Sequence, residues 1–344
     1  MTEVVKEASY MTTRAPQTKR LDLRPALFIW ILVFAFGSLA FRDYLPTFIV
    51  IDLIISEALA ITLYVVAPRK QRNAVRRLII FLMGAILFSM TVFSGRGNMQ
   101  IEGLFFGALL TLTHPAVLHY TLAKIAGPLL FGRVWCGWAC WFAALFDQLP
   151  YRRSKGRLHG RWGWLRYAHF AISLGLVLLF WFGYGYRDGA NGVSGLLWFL
   201  VSAGLYILSG ILIAIVLKDN RAFCKYLCPI NVPLKLSSSR ALLRVTGDAA
   251  KCNDCHACAL ICPMDIQIPQ YVTGGQRVTS TECTLCMNCI NVCPKDALSL
   301  SLKWDSGAEK LRIRKRHADL DWLRGIKFGR LLRFKDNLPT IPME

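Results

Sequence analysis

Between Cys252 and Cys293 the chain reads KCNDCHACALICP and then, after a spacer, ECTLCMNCINVCP. Each half is C-x-x-C-x-x-C-x-x-x-C-P, and no other feature narrows the possible folds as far. Three thiolates at intervals of three wrap one face of an iron–sulfur cube, while the fourth is carried away on the turn closed by Pro263 or Pro294. In two-cluster ferredoxins that fourth cysteine ligates the other cluster. The spacing therefore predicts one [4Fe–4S] cluster on Cys252, Cys255, Cys258 and Cys293. It predicts a second on Cys283, Cys286, Cys289 and Cys262. Zinc ribbons instead use paired C-x-x-C units without the trailing Cys-Pro.

The rest of the chain is too apolar for a soluble protein of 344 residues: hydrophobic content is 54% and mean hydropathy +0.40. Long uncharged runs point to membrane spans, expected at about 25–41, 47–67, 78–93, 101–122, 165–183 and 196–217. The net charge of +20 could suggest nucleic acid, but the excess sits beside the spans and fits anionic lipid. Arg69, Lys70, Arg72, Arg76 and Arg77 lie between the second and third spans. Arg133, Arg152, Arg153, Lys155, Arg157 and Arg161 lie between the fourth and fifth. The other loops carry almost no net charge, so the positive-inside rule puts both termini and every cysteine in the cytoplasm. Clustered thiols suit metal in that reducing compartment.

The expected fold is an all-α transmembrane bundle of about six helices, termini inside, with a cytoplasmic α+β two-[4Fe–4S] bacterial-ferredoxin-like domain. Residues 1–24 read as a cytoplasmic tail rather than a cleaved leader, 25–217 as the bundle, 218–250 as a cysteine motif and linker, and 251–300 as the ferredoxin unit. Residues 301–344 form a basic tail with a cluster at Arg312, Arg314, Lys315 and Arg316. Trp322, Ile326, Leu331 and Leu332 follow, so the tail reads as a surface helix or a solvated arm.

Two further motifs, Cys136-x-x-x-Cys140 and Cys224-x-x-x-Cys228-Pro229, fall at the cytoplasmic ends of the fourth and sixth spans. On a helix, positions i and i+4 share a face. Each pair is therefore suited to one metal, and together the four thiolates form a candidate third site, a cluster or a metal ion. Buried thiols or transient disulfides are the alternatives. Gly127-Pro128 is expected to stop the helix of the fourth span. GRVWCGWACWFAALF then lies in the interface or re-enters it, with Trp135, Trp138 and Trp141 as interfacial anchors.

Spans, C-x-x-x-C motifs and ladder together resemble the NapH/NosR/RdxA family of membrane-bound polyferredoxins over residues 78–300. The resemblance is carried by GRVWCGWAC, CKYLCP and the cysteines from Cys252 to Cys293. It implies a multi-pass protein of the bacterial inner membrane that passes electrons between the quinone pool and a redox protein partner. For the RdxA branch it implies the handling of copper. Trp141 departs from the family, which usually has proline after the first motif, and nothing matches the flavin domain of the NosR branch.

Ionisable groups inside spans are candidate functional sites. Glu57 and His114 sit near mid-bilayer, where they could carry protons released by a quinol. His119 and His169, near the cytoplasmic ends, are candidates to bind a quinone headgroup or a b-type haem. No glycine-rich nucleotide loop is present, so the sequence points to an electron-transfer subunit rather than a self-contained dehydrogenase. Copper reduction or maturation at Cys136, Cys140, Cys224 and Cys228 is the competing function. A membrane-tethered redox sensor would need an output domain that the sequence does not offer.

Overall fold

The computed structural model describes residues 45–93, 98–151, 156–158 and 162–303, without the side chains of 45–54 and of Glu57. The expected first span at 25–41, both tails beyond these limits, and the cluster at Arg312 lie outside the described residues. Residues up to Arg72 and residues from Asn73 onward form two separate compact units. In the first, helix α1 (Leu45–Val66) is capped by a short turn whose Arg72 donates to the Ala67 and Val65 carbonyls.

Helix α2 (Arg72–Phe93) buries Val75, Arg76, Ile79, Ile80, Met83 and Ile86, one face at helical spacing. Helix α3 (Ile101–Leu110) follows, so the expected fourth span at 101–122 is not one helix. Thr111 leaves helical geometry at φ −163°, and Pro115 has no N–H to continue the ladder. His114 caps the next helix, α4 (Pro115–Tyr120), by accepting from the Ala116 N–H at 3.2 Å. Ten residues rise only about 15 Å, so α3 cannot cross a bilayer alone.

Gly127-Pro128 does not stop the chain either. A π-helical turn over Thr121–Ala126, in which Gly127 donates to Leu122 five residues back, shifts the register to admit the proline. Helix α5 (Gly127–Phe131) continues until Gly132, which turns with φ +57°. Helices α6 (Val134–Trp138) and α7 (Trp141–Phe146) then turn away, bent by 98° from the preceding segment. By length and composition this is a broken span or a re-entrant loop.

Helix α8 (Leu165–Leu178) runs on through a π turn to Gly183, and helix α9 covers Gly192–Leu217. Three segments, Arg69–Phe93, Trp162–Gly183 and Gly192–Leu217, are long and apolar enough to cross a membrane, and the bent pair would make a fourth. Helix α9 is ordered inside out. Leu197, Val201, Leu205, Leu208 and Leu212 face outward, while Gly195, Ser202, Ala203, Tyr206 and Gly210 face the protein. Small and polar groups inward with leucine outward is how helices pack in lipid.

Helices α10 (Ala222–Tyr226) and α11 (Asn231–Ser238) lead to strand β1 (Leu243–Gly247), followed by α12 (Ala257–Leu260), α13 (Ile268–Thr273), α14 (Asn288–Val292) and strand β2 (Leu298–Leu302). The strands pair antiparallel, from Leu243 opposite Leu302 to Gly247 opposite Leu298. The ferredoxin unit therefore begins inside the expected linker of 218–250 and needs β1 to close. It is not a separate body. One continuous core runs from Ile101, Phe142 and Tyr206 through Cys224 and Cys228 to Val245, Met264 and Leu298.

Candidate metal centres

The two halves of the ladder are conformational copies. Asp254 and His256 in the first, and Leu285 and Met287 in the second, all adopt left-handed backbone geometry, as do Asp265 and Asp296 three residues past each Cys-Pro cysteine. Such conformations cost about 1–3 kcal/mol each in non-glycine residues and cluster at ligand clamps. The equivalent sulfurs are also hydrogen-bonded alike: Ile266 N–H donates to Cys262 Sγ at 3.4 Å, and Ala297 N–H to Cys293 Sγ at 3.3 Å. Amide bonds to ligand sulfurs are among the features that set a cluster's potential.

All twelve cysteines are free. Cys262, Cys283, Cys286 and Cys289 line one cavity with Ile266, Ile268 and Leu285. These four are the sulfurs that the spacing assigns to the second cluster, with Cys262 contributed by the opposite half. Cys252 and Cys255 each lie within electrostatic reach of Cys258, and Cys255 is exposed. The second set is thus interior and the first opens to the surface. Among the described residues no three Cys, His, Asp or Glu side chains converge as a single ion requires. Cys262, Cys283, Cys286 and Cys289, four thiols spaced around one cavity, are a donor set of the kind that holds a [4Fe–4S] cube.

The membrane-edge pairs do not lie on one helix each, as i, i+4 spacing suggested. Cys136 sits on α6, but Cys140 is extended (ψ 120°) at the start of α7, and Cys228 lies past the end of α10. Both motifs make the same turn: Cys140 N–H donates to Trp135 and Cys228 N–H to Phe223, each five residues back at about 3 Å. The repeat is longer than its cysteines, reading R-V-W-C-G-W-A-C from Arg133 and R-A-F-C-K-Y-L-C from Arg221. Each buried arginine supports the other motif. Arg221 Nη1 donates to the Cys136 carbonyl at 3.0 Å. Arg133 Nη2 donates to Asn231 Oδ1, and the Asn231 amide donates to the Cys224 carbonyl. Cys136, Cys140, Cys224 and Cys228 consequently line one cavity, with His119, Tyr120, Lys124 and Trp135 in its wall. The Lys124 ammonium lies 4.1 Å from the Trp135 ring centroid.

Several cations expected to face lipid are instead paired inside the protein. Asp147 accepts from Arg221 at 2.6 Å and from Arg76 at 2.9 Å. Burial opposes its charge, but Arg221 and then Arg76 outweigh that and hold its carboxyl below the usual range. Glu282, next to Cys283, accepts from Arg133 and Arg166 at 2.9 Å and from Lys235 at 2.8 Å. Burial again works against ionisation, yet Arg133, Arg157, Arg166 and Lys235 hold Glu282 well below the ordinary carboxylate range. Lys225 pairs with Asp219 at 2.6 Å and with Asp265, just past Cys262. Arg152, Arg153, Lys155 and Arg161 lie outside the described residues.

The remaining candidates fall in different places. His114 engages both ring nitrogens locally, with Nε2 2.9 Å from Asn191 Oδ1, and the Glu57 side chain lies outside those described. His119 stands edge-on to Trp135 and Tyr120 in the thiol cavity. His169 is held elsewhere, donating from Nδ1 to the Leu227 carbonyl at 2.9 Å with its ring against Tyr206. Trp138 donates to Leu285, and Trp141 meets Phe88 and Phe199 edge to face, so both pack on protein rather than acting as headgroup anchors. Sequence reasoning missed Glu102, Lys124, Arg166 and Arg221. The shared arginine three residues before each first cysteine was a readable signal for Arg221.

Residues 244–294 match a 4Fe-4S dicluster domain family, and residues 113–159 and 191–243 match a 4Fe-4S binding domain family, each segment containing one membrane-edge motif. The chain is similar to the ferredoxin-type protein NapH of Escherichia coli, at 25% identity over 207 residues, covering 56% of this chain and 69% of that protein. It is also similar to an uncharacterized protein of Methanocaldococcus jannaschii, at 28% over 196 residues, 54% of this chain and 69% of the relative. The methylamine utilization ferredoxin-type protein MauN of Methylorubrum extorquens is 27% identical over 179 residues, 50% of this chain and 62% of MauN. No solved structure matches.

Proposed function

The chain belongs to the NapH/NosR-type polyferredoxin family, and on that premise we propose that it relays single electrons between the quinone pool and a redox protein partner. In this reading Cys252, Cys255, Cys258 and Cys293 hold one [4Fe–4S] cluster, and Cys283, Cys286, Cys289 and Cys262 hold a second. Cys136, Cys140, Cys224 and Cys228 hold a third metal centre at the inner edge of a bacterial cytoplasmic membrane. The clusters supply one-electron chemistry, and the protein supplies position, potential and exclusion of water.

One observation carries the reading: three sets of thiols follow one another through a single core. The four membrane-edge cysteines share that core with the buried set around Cys286, and the set around Cys255 opens to the surface. His119 lines the innermost cavity, which supports its assignment to a quinone headgroup in this reading. The cations around Glu282, and Arg76 through Asn288, fix the ferredoxin unit against the bundle, so the spacing between sites does not depend on diffusion of a tethered domain.

The test is cluster absorbance of the purified protein after a quinol analogue and, separately, after Cu(II). Bleaching by quinol supports the relay. Absence of any response to quinol refutes it. Oxidation by Cu(II) that disappears in Cys136→Ala and Cys224→Ala favours copper handling. Iron content discriminates further: about twelve irons per chain means the third centre is a cube, and about eight means it is not.

A further inference from the structure

Glu102 stands on the first turn of α3 with its carboxylate inside the bundle, 5% exposed. Its Oε1 accepts from the Tyr206 hydroxyl at 2.7 Å and from the Ser173 hydroxyl at 3.0 Å. Its Oε2 is buried without a partner, and no Lys or Arg pairs with it among the described residues. Gln100 and Asn98, two and four positions earlier, are fully buried. Both polar atoms of the Gln100 side chain and the Asn98 amide nitrogen are also without partners. Buried polar atoms left unmatched are costly, and such groups are where proteins hold internal water.

Beyond the carboxylate, one connected path leads toward the cysteines through Tyr206, and Tyr120 lies between the charge and the thiol cavity. Tyr120 lies within electrostatic reach of Glu102, Cys228 and Cys140 and lines the four-thiol cavity. Tyr206 meets the His169 ring at 4.9 Å, and His169 donates to the carbonyl of Leu227, the residue before Cys228. Tyr206 from α9 and Ser173 from α8 bond to Glu102; Tyr120 from α4 feels its charge, and Lys124 stands with Tyr120 in the cavity wall.

We propose that Glu102 is the proton-carrying acid of the bundle. When the site of Cys136, Cys140, Cys224 and Cys228 gains one electron from a quinol or from the neighbouring ferredoxin unit, Glu102 takes up one proton. The proton arrives through water held at Asn98 and Gln100. When the electron leaves, the proton returns the same way, so each turnover is balanced in charge. Adding a negative charge nearby in a low-dielectric interior favours such uptake. The inference rests on the metal-centre reading of the four membrane-edge cysteines.

Redox-induced infrared difference spectra of the full chain in lipid nanodiscs test it, with iron counted on the same samples. The expected result is about twelve irons per chain. A protonated-carboxyl band should appear on reduction in the wild type and be absent from Glu102→Gln. The band should be shifted in Tyr206→Phe, which removes a donor but keeps the acid. The midpoint potential of the membrane-edge site should vary with pH in the wild type and stay flat in Glu102→Gln. A band missing from the wild type, persisting in Glu102→Gln or unmoved in Tyr206→Phe overturns the proposal, while about twelve irons would leave the metal centre standing. About eight irons with no other metal bound per chain removes the metal centre itself, and the proposal with it.

Discussion

Gly137 and Thr284 meet so closely that a methyl group on Gly137 would lie 2.3 Å from the Thr284 carbonyl oxygen. Next to this contact the Trp138 indole donates to the Leu285 carbonyl at 2.8 Å. The first membrane-edge motif and the second ladder loop therefore touch backbone to backbone, between Cys136 and Cys140 on one side and Cys283 and Cys286 on the other. Gly137→Ala should push the two loops apart. Overpacking against rigid backbone costs about 1–3 kcal/mol, so the iron-loaded variant should melt several degrees lower. Electron exchange between the two sites should slow as well. Thermal unfolding and stopped-flow reoxidation are the measurements, and wild-type values in both would mean the contact relaxes freely.

Glu282 is the second point of attachment, a carboxylate shared by Arg133, Arg166 and Lys235. Its folded value lies below its unfolded one, so its stabilisation is complete above the ordinary glutamate range, about 4.3. That stabilisation is lost as pH falls through the folded value. The hydrogen-exchange protection factors of the Glu282 and Cys283 amides, which divide out the intrinsic pH dependence of exchange, should therefore be flat from neutral pH down to about 5 and should fall in more acid solution. Glu282→Gln leaves buried cations uncompensated at every pH. It should cost about 3–5 kcal/mol and remove the acid limb of the profile. An acid limb that persists in Glu282→Gln would assign it to another carboxylate, Asp147 first.

These attachments explain what the sequence could and could not disclose. Cysteine spacing is local, and the crossing of Cys262 to the set around Cys286 follows from a repeat that a reader can see. The partners of Arg76 and Arg133 are 71 and 149 residues away, so sequence showed their charge without showing what neutralises it. They read as lipid-facing cations when they are internal. Hydropathy likewise saw one apolar run over 101–122, because averaging hides a cap at His114 and the missing N–H of Pro115. Glu102 was obscured for a related reason: it is the single acid between Asn98 and Phe146, and the apolar residues around it swamp one charge. Strand β1 is short and half-buried, and only its pairing with β2, some fifty residues later, makes it a strand.

Cross-ligation between the two halves can be separated from simple tandem ligation by one variant. Cys262 follows the first triplet in sequence but lines the cavity of Cys283, Cys286 and Cys289. Cys262→Ala should perturb the paramagnetic signal of the buried cluster, and iron should fall by up to about four per chain. The exposed cluster at Cys255 should keep its signal. If Cys262→Ala instead abolishes the signal of the exposed cluster, each half ligates its own iron and the assignment is reversed.

Lys124 offers the sharpest electrostatic test, because it is a buried cation in the wall of the four-thiol cavity, held over Trp135 rather than by a carboxylate. A positive charge beside a redox centre favours the reduced, more negative state. At a separation of about 8 Å and an effective dielectric of about 20, one charge contributes roughly 2 kcal/mol. Lys124→Met removes the charge while keeping most of the volume, so the midpoint potential of the membrane-edge site should fall and iron content should stay unchanged. Lys124→Arg keeps the charge and should restore most of the potential, although its planar head will not sit over the Trp135 ring in the same way. A redox titration of the three proteins distinguishes charge from packing. Equal potentials in Lys124→Met and wild type would show that water or a counter-ion already screens the ammonium.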